Sequence, residues 1–145
     1  MAFRGQHEHS LDSKDRLTVP RKFRAALDDG YVLAKGPDAC LWLYATKDFD
    51  AMEQRYVAPH SPFGSNARDL RRMLNASADE GELDAAGRIR IPEPLKSMAG
   101  LDGPCSVIGA GDYIEIWSNE AWTRKNEELQ GQFADVAENL AGSTE

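Results

Sequence analysis

The sequence predicts a mostly β chain of the α+β class, built from two copies of one unit, with short peripheral helices and a longer helix near the C-terminal end. Three observations predict it. First, the phrase Leu11-Asp12-Ser13-Lys14-Asp15-Arg16-Leu17-Thr18-Val19-Pro20 returns 72 residues later as Leu83-Asp84-Ala85-Ala86-Gly87-Arg88-Ile89-Arg90-Ile91-Pro92. Second, each copy reads apolar residue, Asp, three turn-type residues, Arg, then alternating apolar positions closed by a proline. That is the pattern of a tight turn leading into a strand and then a helix. Third, Gly36, Leu41, Leu43, Tyr44 and Phe49 align with Gly109, Ile114, Ile116, Trp117 and Trp122 at an offset of 73, so one inserted residue separates two otherwise parallel plans. A period this long marks a duplicated domain, because solenoid units run to roughly 20–50 residues in three or more copies.

The elements follow in order. Phe3 to Leu11 reads as a strand, Asp12 to Asp15 as the turn, and Arg16 to Val19 as the return strand with Leu17 and Val19 on one face. Pro20 opens a short helix in which Phe23 and Leu27 point inward and Arg21, Lys22 and Arg24 toward solvent. Tyr31 to Lys35 and Cys40 to Tyr44 form a hairpin around Gly36-Pro37-Asp38. Lys47 to Tyr56 is helical, residues 59–66 are a loop, and Arg68 to Leu74 is a short helix. The second half repeats the plan: a strand near Glu80 to Leu83, a turn from Asp84 to Gly87, a strand from Arg88 to Ile91, a helix from Pro92, and a strand pair Val107-Ile108 and Tyr113 to Trp117. Gly109-Ala110-Gly111-Asp112 reads as the turn of that pair and not as a phosphate loop, since it joins two strands. From Asn119, the residues Trp122, Leu129, Phe133, Val136 and Leu140 fall at helical spacing, and residues 142–145 are expected to fray. The organisation is a first half over residues 5–56, a connection over 57–76, a second half over 77–124, and a terminal helix and tail over 125–145.

A chain of 145 residues with 41% hydrophobic content suffices for one compact core. No stretch approaches the roughly 18 apolar residues of a membrane helix, and Met1-Ala2-Phe3-Arg4-Gly5 is not a secretory leader, so a soluble cytoplasmic protein is expected. Cys40 and Cys105 lie in apolar runs without metal-ligand spacing and read as buried thiols. His7 and His9 share a strand face but lack further ligands, so no metal is expected. No spacing aligns a nucleophile with a base around Ser61, Ser65 or His60, which leaves no support for an enzyme, a cofactor or a small-molecule substrate.

Charge is informative through its distribution. The net charge of −7 argues against a generic basic nucleic-acid binder. Yet Lys14, Arg16, Arg21, Lys22 and Arg24 stand against Asp15 alone, a local excess of +4, while the segment from Asp112 onward is acidic. In each copy the Asp can accept bonds from turn amides and pair with the Arg four positions on. Arg16 and Arg88 supply planar forks suited to phosphate or to guanine O6 and N7. Arg90 adds to the second copy. The competing reading makes these arginines turn staples only, and the acidic C-terminal half a protein-interaction module.

The duplicated Asp-x-x-x-Arg turn, followed by apolar-polar-apolar-Pro and a short helix, resembles the MraZ family over nearly the whole chain, from Phe3 to about Trp122. The resemblance implies a double-ψ or swapped-hairpin AbrB-like barrel and a non-catalytic transcriptional regulator. Such a protein would form a ring-shaped homo-oligomer, bind double-stranded DNA repeats upstream of a division and cell-wall gene cluster, and associate with the nucleoid. It points to Lys14, Arg16, Arg21, Lys22, Arg24, Arg88 and Arg90 as DNA contacts, and to Asp12, Asp84 and Gly87 as turn residues. The chain departs from the family pattern at Asp15, where the equivalent of Gly87 is expected. Its carboxylate either weakens the phosphate contact of the first turn, alters that turn's geometry, or fixes Lys14 or Arg16.

Overall fold

The computed structural model describes residues 2–142. The described residues form eight strands and five helices: β1 (Phe3–Ser10), β2 (Arg16–Thr18), α1 (Arg21–Arg24) with a 3-10 turn at Ala25–Leu27, β3 (Tyr31–Lys35), β4 (Leu41–Ala45), α2 (Thr46–Tyr56), α3 (Ser65–Asn75), β5 (Asp79–Gly81), β6 (Arg88–Arg90), α4 (Glu93–Met98), β7 (Pro104–Gly111), β8 (Ile114–Ser118) and α5 (Asn119–Ala141). The mostly β architecture with short helices and a long terminal one is as predicted.

The pairing is reciprocal between the repeats. β1 does not fold back on β2. It adds to β7 of the second repeat, from Phe3↔Gly111 to Ser10↔Pro104. In return β5, which opens the second repeat, adds to β3 of the first. A six-stranded antiparallel sheet results in the order β1-β7-β8-β4-β3-β5, with the join between repeats at β4 and β8, and β2 pairs with β6 in a separate two-stranded ribbon. The hairpin thus keeps its turn but sends its two arms to different partners.

Alternation along each strand fixes what each sheet face does. The inner face contributes Leu33, Leu43, Val107, Ile114 and Ile116, which close with Leu17 and Ile89 of the ribbon and with Phe23, Leu27 and Leu95 of α1, its 3-10 turn and α4 into the main core. The expected inward positions Phe23 and Leu27 are both buried. The outer face carries Val32, Ala34 and Tyr44 under Phe49 of α2. There Tyr113 stacks on Tyr44 with ring centroids 5.2 Å apart, and lies 4.6 Å from Trp42. The first turns of α5 occupy the same face, with Trp122 at 5.6 Å from Trp117 and Asn119 Oδ1 accepting from Ser106 Oγ at 2.9 Å. Ser118 caps α5, accepting from the Ala121 amide at 3.1 Å.

Three boundaries differ from expectation. Gly109 to Gly111 belong to β7, and the turn contracts to Asp112 and Tyr113, because β1 pairs along β7 to its end and extends it. A Cβ at Gly109 would lie 2.6 Å from Arg4 Cα, so glycine there permits the close approach of β1. The loop ahead of α3 is shorter, since the helix starts at Ser65. The second-repeat strand spans Asp79–Gly81 and not Glu80 to Leu83. The expected fraying at 143–145 lies outside the described residues. No helix among the described residues is long and apolar enough to cross a membrane.

Candidate nucleic-acid interface

The ribbon exists because Leu17 and Ile89 are each 1% exposed, and burying two such side chains contributes about 1.5–3 kcal/mol apiece. They pair directly across the ribbon, between Arg16↔Arg90 on one side and Thr18↔Arg88 on the other. Side chains alternate along a strand, so these four residues occupy the face turned away from the core. The pairing extends past both strands, where the Val19 amide donates to Gly87 O and the Ile91 amide to Asp15 O, each at 2.9 Å.

Both turns are tied in the same way. Asp12 Oδ1 accepts from the amides of Lys14 and Arg16 at 2.9 Å, and Oδ2 accepts from Arg16 Nε at 2.7 Å. Asp84 Oδ1 accepts from the amides of Ala86 and Arg88 at 3.0 and 2.9 Å, and Oδ2 from Arg88 Nε at 2.8 Å. The Arg16 amide above all, and then its guanidinium and the Lys14 amide, hold the Asp12 carboxyl down at about 2. The Arg88 amide and guanidinium lower Asp84 likewise. Because the carboxylates engage Nε, the two Nη nitrogens of each guanidinium remain as donors for a ligand. Arg88 Nη1 also approaches Asp12 Oδ2 at 3.9 Å, so the two motif turns sit side by side.

Lys14, Asp15, Arg16 and Arg90 line a shallow recess of about 420 Å³, which unites cations from both repeats. Asp15 does take the left-handed conformation, at φ 57° beside φ 75° for Gly87, so the turn geometry survives the missing glycine. Its carboxylate holds neither Lys14 nor Arg16: it pairs with Lys96 Nζ of α4 at 3.1 Å. That hydrogen bond raises the Lys96 pKa.

The cations from Lys14 to Arg24 do not form one continuous patch. Arg24 does not point to solvent as expected. Its Nε donates to Val19 O at 2.9 Å, and its side chain lies over Gly87 so closely that a Cβ there would meet Arg24 Cδ at 2.6 Å. It serves the second turn. Lys22 turns toward β1, with Nζ against Gly5 and 5.4 Å from the Phe23 ring centroid. Arg21 is exposed at the start of α1. His7 packs edge-on against Phe23 at 5.4 Å, and burial, then Lys22, lowers its pKa.

Lys96 is the residue that motif reading missed. The repeat offset of 72 places it at the position of Arg24, which is the signal that could have found it. A family model described as "MraZ protein, putative antitoxin-like" matches residues 2–72 and again 74–143. Each matched segment contains one Asp-x-x-x-Arg turn, one ribbon strand and the helix that follows it, and the chain belongs to the MraZ family.

Proposed function

We propose that the protein is a sequence-specific, non-catalytic DNA-binding transcriptional regulator. It acts as a ring-shaped homo-oligomer on repeated elements upstream of a division and cell-wall gene cluster, in the cytoplasm and on the nucleoid. The observation that carries this reading is the β2–β6 ribbon, which sets Arg16, Arg88 and Arg90 on one outward face while Asp12 and Asp84 orient two of the three guanidiniums. A two-stranded ribbon fits the major groove of B-DNA, about 12 Å wide, where arginine can bind guanine O6 and N7 in a bidentate manner. Lys14 at the turn, Arg21 at the head of α1 and Lys22 are assigned to phosphates, and Arg24 to holding the second turn in place. One ribbon offers few contacts, and a ring of them on repeated sites raises avidity.

Footprinting on the DNA upstream of the protein's own gene, over a salt series, tests the proposal. Protection should appear at repeated short elements and fade with log K falling by about 0.9 per log unit of salt for each phosphate neutralised. Absence of protection at every salt concentration, with the chain folded, overturns it in favour of an interaction module built on the acidic C-terminal segment.

A further inference from the structure

The first turns of α5 rest on β7 and β8, and beyond Leu129 the helix leaves them. Phe133 and Leu140 are 76% and 69% exposed, with Val136 between them at 46%. At the other end of the sheet, α3 packs against β3. The α2–α3 connection and α3 leave Phe63 91%, Met73 67% and Leu70 42% exposed. Apolar surfaces of this kind mark contact sites.

Their charges are opposite. The free part of α5, residues 130–141, carries Asp135 and Glu138 and no Lys or Arg, a net −2. Residues 57–75, the connection and α3, carry Arg68, Arg71 and Arg72 against Asp69, a net +2. Arg68 and Arg71 also tie down the loop that presents Phe63, donating to Phe63 O at 2.9 Å and His60 O at 2.7 Å. The lengths agree too: α3 has 11 residues and the free part of α5 has 12, each about 16–18 Å at 1.5 Å per residue.

We infer that the free part of α5 in one copy docks on the α3 face of a second copy. Pairing the free part of α5 with its own copy would set −2 against −2, whereas α5 on α3 joins opposite charges around two apolar stripes. Both surfaces belong to one chain but sit at different places along its sheet, over β7–β8 and beside β3. The contact is therefore head-to-tail, and such contacts close into rings when the rotation permits. The inference rests on the homo-oligomer proposed above and adds which surfaces meet.

Two full-length variants, Phe133→Glu and Phe63→Glu, test it by light scattering at micromolar concentration. Both sites are exposed, so circular dichroism should match wild type. Wild type should be an oligomer and each variant alone a monomer. An equimolar mixture should form a dimer and nothing larger, because each mixed pair keeps one intact stripe and one intact α3 face. A wild-type-sized oligomer in either variant, or a mixture that stays monomeric, overturns the α5–α3 contact while leaving the ring. A monomeric wild type overturns both.

Discussion

Lys96 Nζ lies 3.1 Å from Asp15 Oδ1 and so joins the helix of the second repeat to the motif turn of the first. Arg24, at the equivalent position of the first repeat, lies over Gly87 of the second turn. The two crossings solve one steric problem differently. A long, stacked guanidinium requires a glycine beneath it, while a shorter ammonium requires a carboxylate to meet it. Residue 15 is thus matched to residue 96, and residue 87 to residue 24.

This matching makes an exchange informative. Gly87→Asp should destabilise the fold by about 1–2 kcal/mol from the left-handed backbone alone, with more added by displacement of Arg24, and thermal unfolding would measure it. Asp15→Gly should instead fold well and release Lys96 from its nearer carboxylate, leaving Glu93 at 3.7 Å and the ammonium able to turn to phosphate. Its salt dependence on DNA should then steepen by about 0.9 in log–log slope.

Arg16→Ala and Arg88→Ala should each weaken binding to the specific site about tenfold or more, the scale of one lost bidentate base contact. They should cost little stability, since partly exposed ion pairs contribute little. The loss at Arg16 should exceed that at Arg88, because Lys14 and Arg90 share its recess. Fluorescence anisotropy with both variants in one buffer compares them, and equal losses would show that the two turns contribute alike.

Acid should open the turns. The Asp12 carboxyl sits at about 2 in the folded chain, below its ordinary 3.8, so its contribution is fully present above about pH 4 and is lost as pH falls toward 2. Asp84 acts in the same direction. An Asp12→Asn chain should therefore show a shallower loss of stability between pH 4 and pH 2 than wild type, as read by chemical unfolding at stepped pH.

Both thiols should be silent in the native protein. Burial pushes Cys40 up to about 12 and Cys105 up to about 11, and both are free and buried. Thiolate is the reactive form, so labelling by a disulfide reagent at pH 8 should follow global unfolding in denaturant and not precede it.

The local grammar of the chain was legible, and its long-range partners were not. Asp12 and Arg16 are four residues apart, so spacing alone places the turn and its ion pair. Phe23 and Leu27 reveal the buried side of their helix in the same way. The strand partners are different: β1 reads as one arm of a hairpin, and nothing local tells it to join β7. Gly109-Ala110-Gly111 looked like a turn because glycines commonly mark one, yet it is strand, and β1 needs Gly109 free of Cβ. Arg24 looked solvent-facing because helical spacing describes only its own helix, and the residue it covers lies 63 positions away. The 72-residue offset put Lys96 opposite Arg24 in the sequence, but only the folded chain shows that it meets Asp15 of the other repeat.

The reciprocal exchange of strands also sets a timetable for synthesis. Phe3 pairs with Gly111, so at about 5–20 residues per second the first strand waits roughly 5–20 s on the ribosome before its partner has been made. The ribbon waits for Arg88–Arg90 as well. A chain interrupted in its second repeat before β6 has no paired ribbon to offer, and the arginine-bearing face comes into being only as the duplication completes itself.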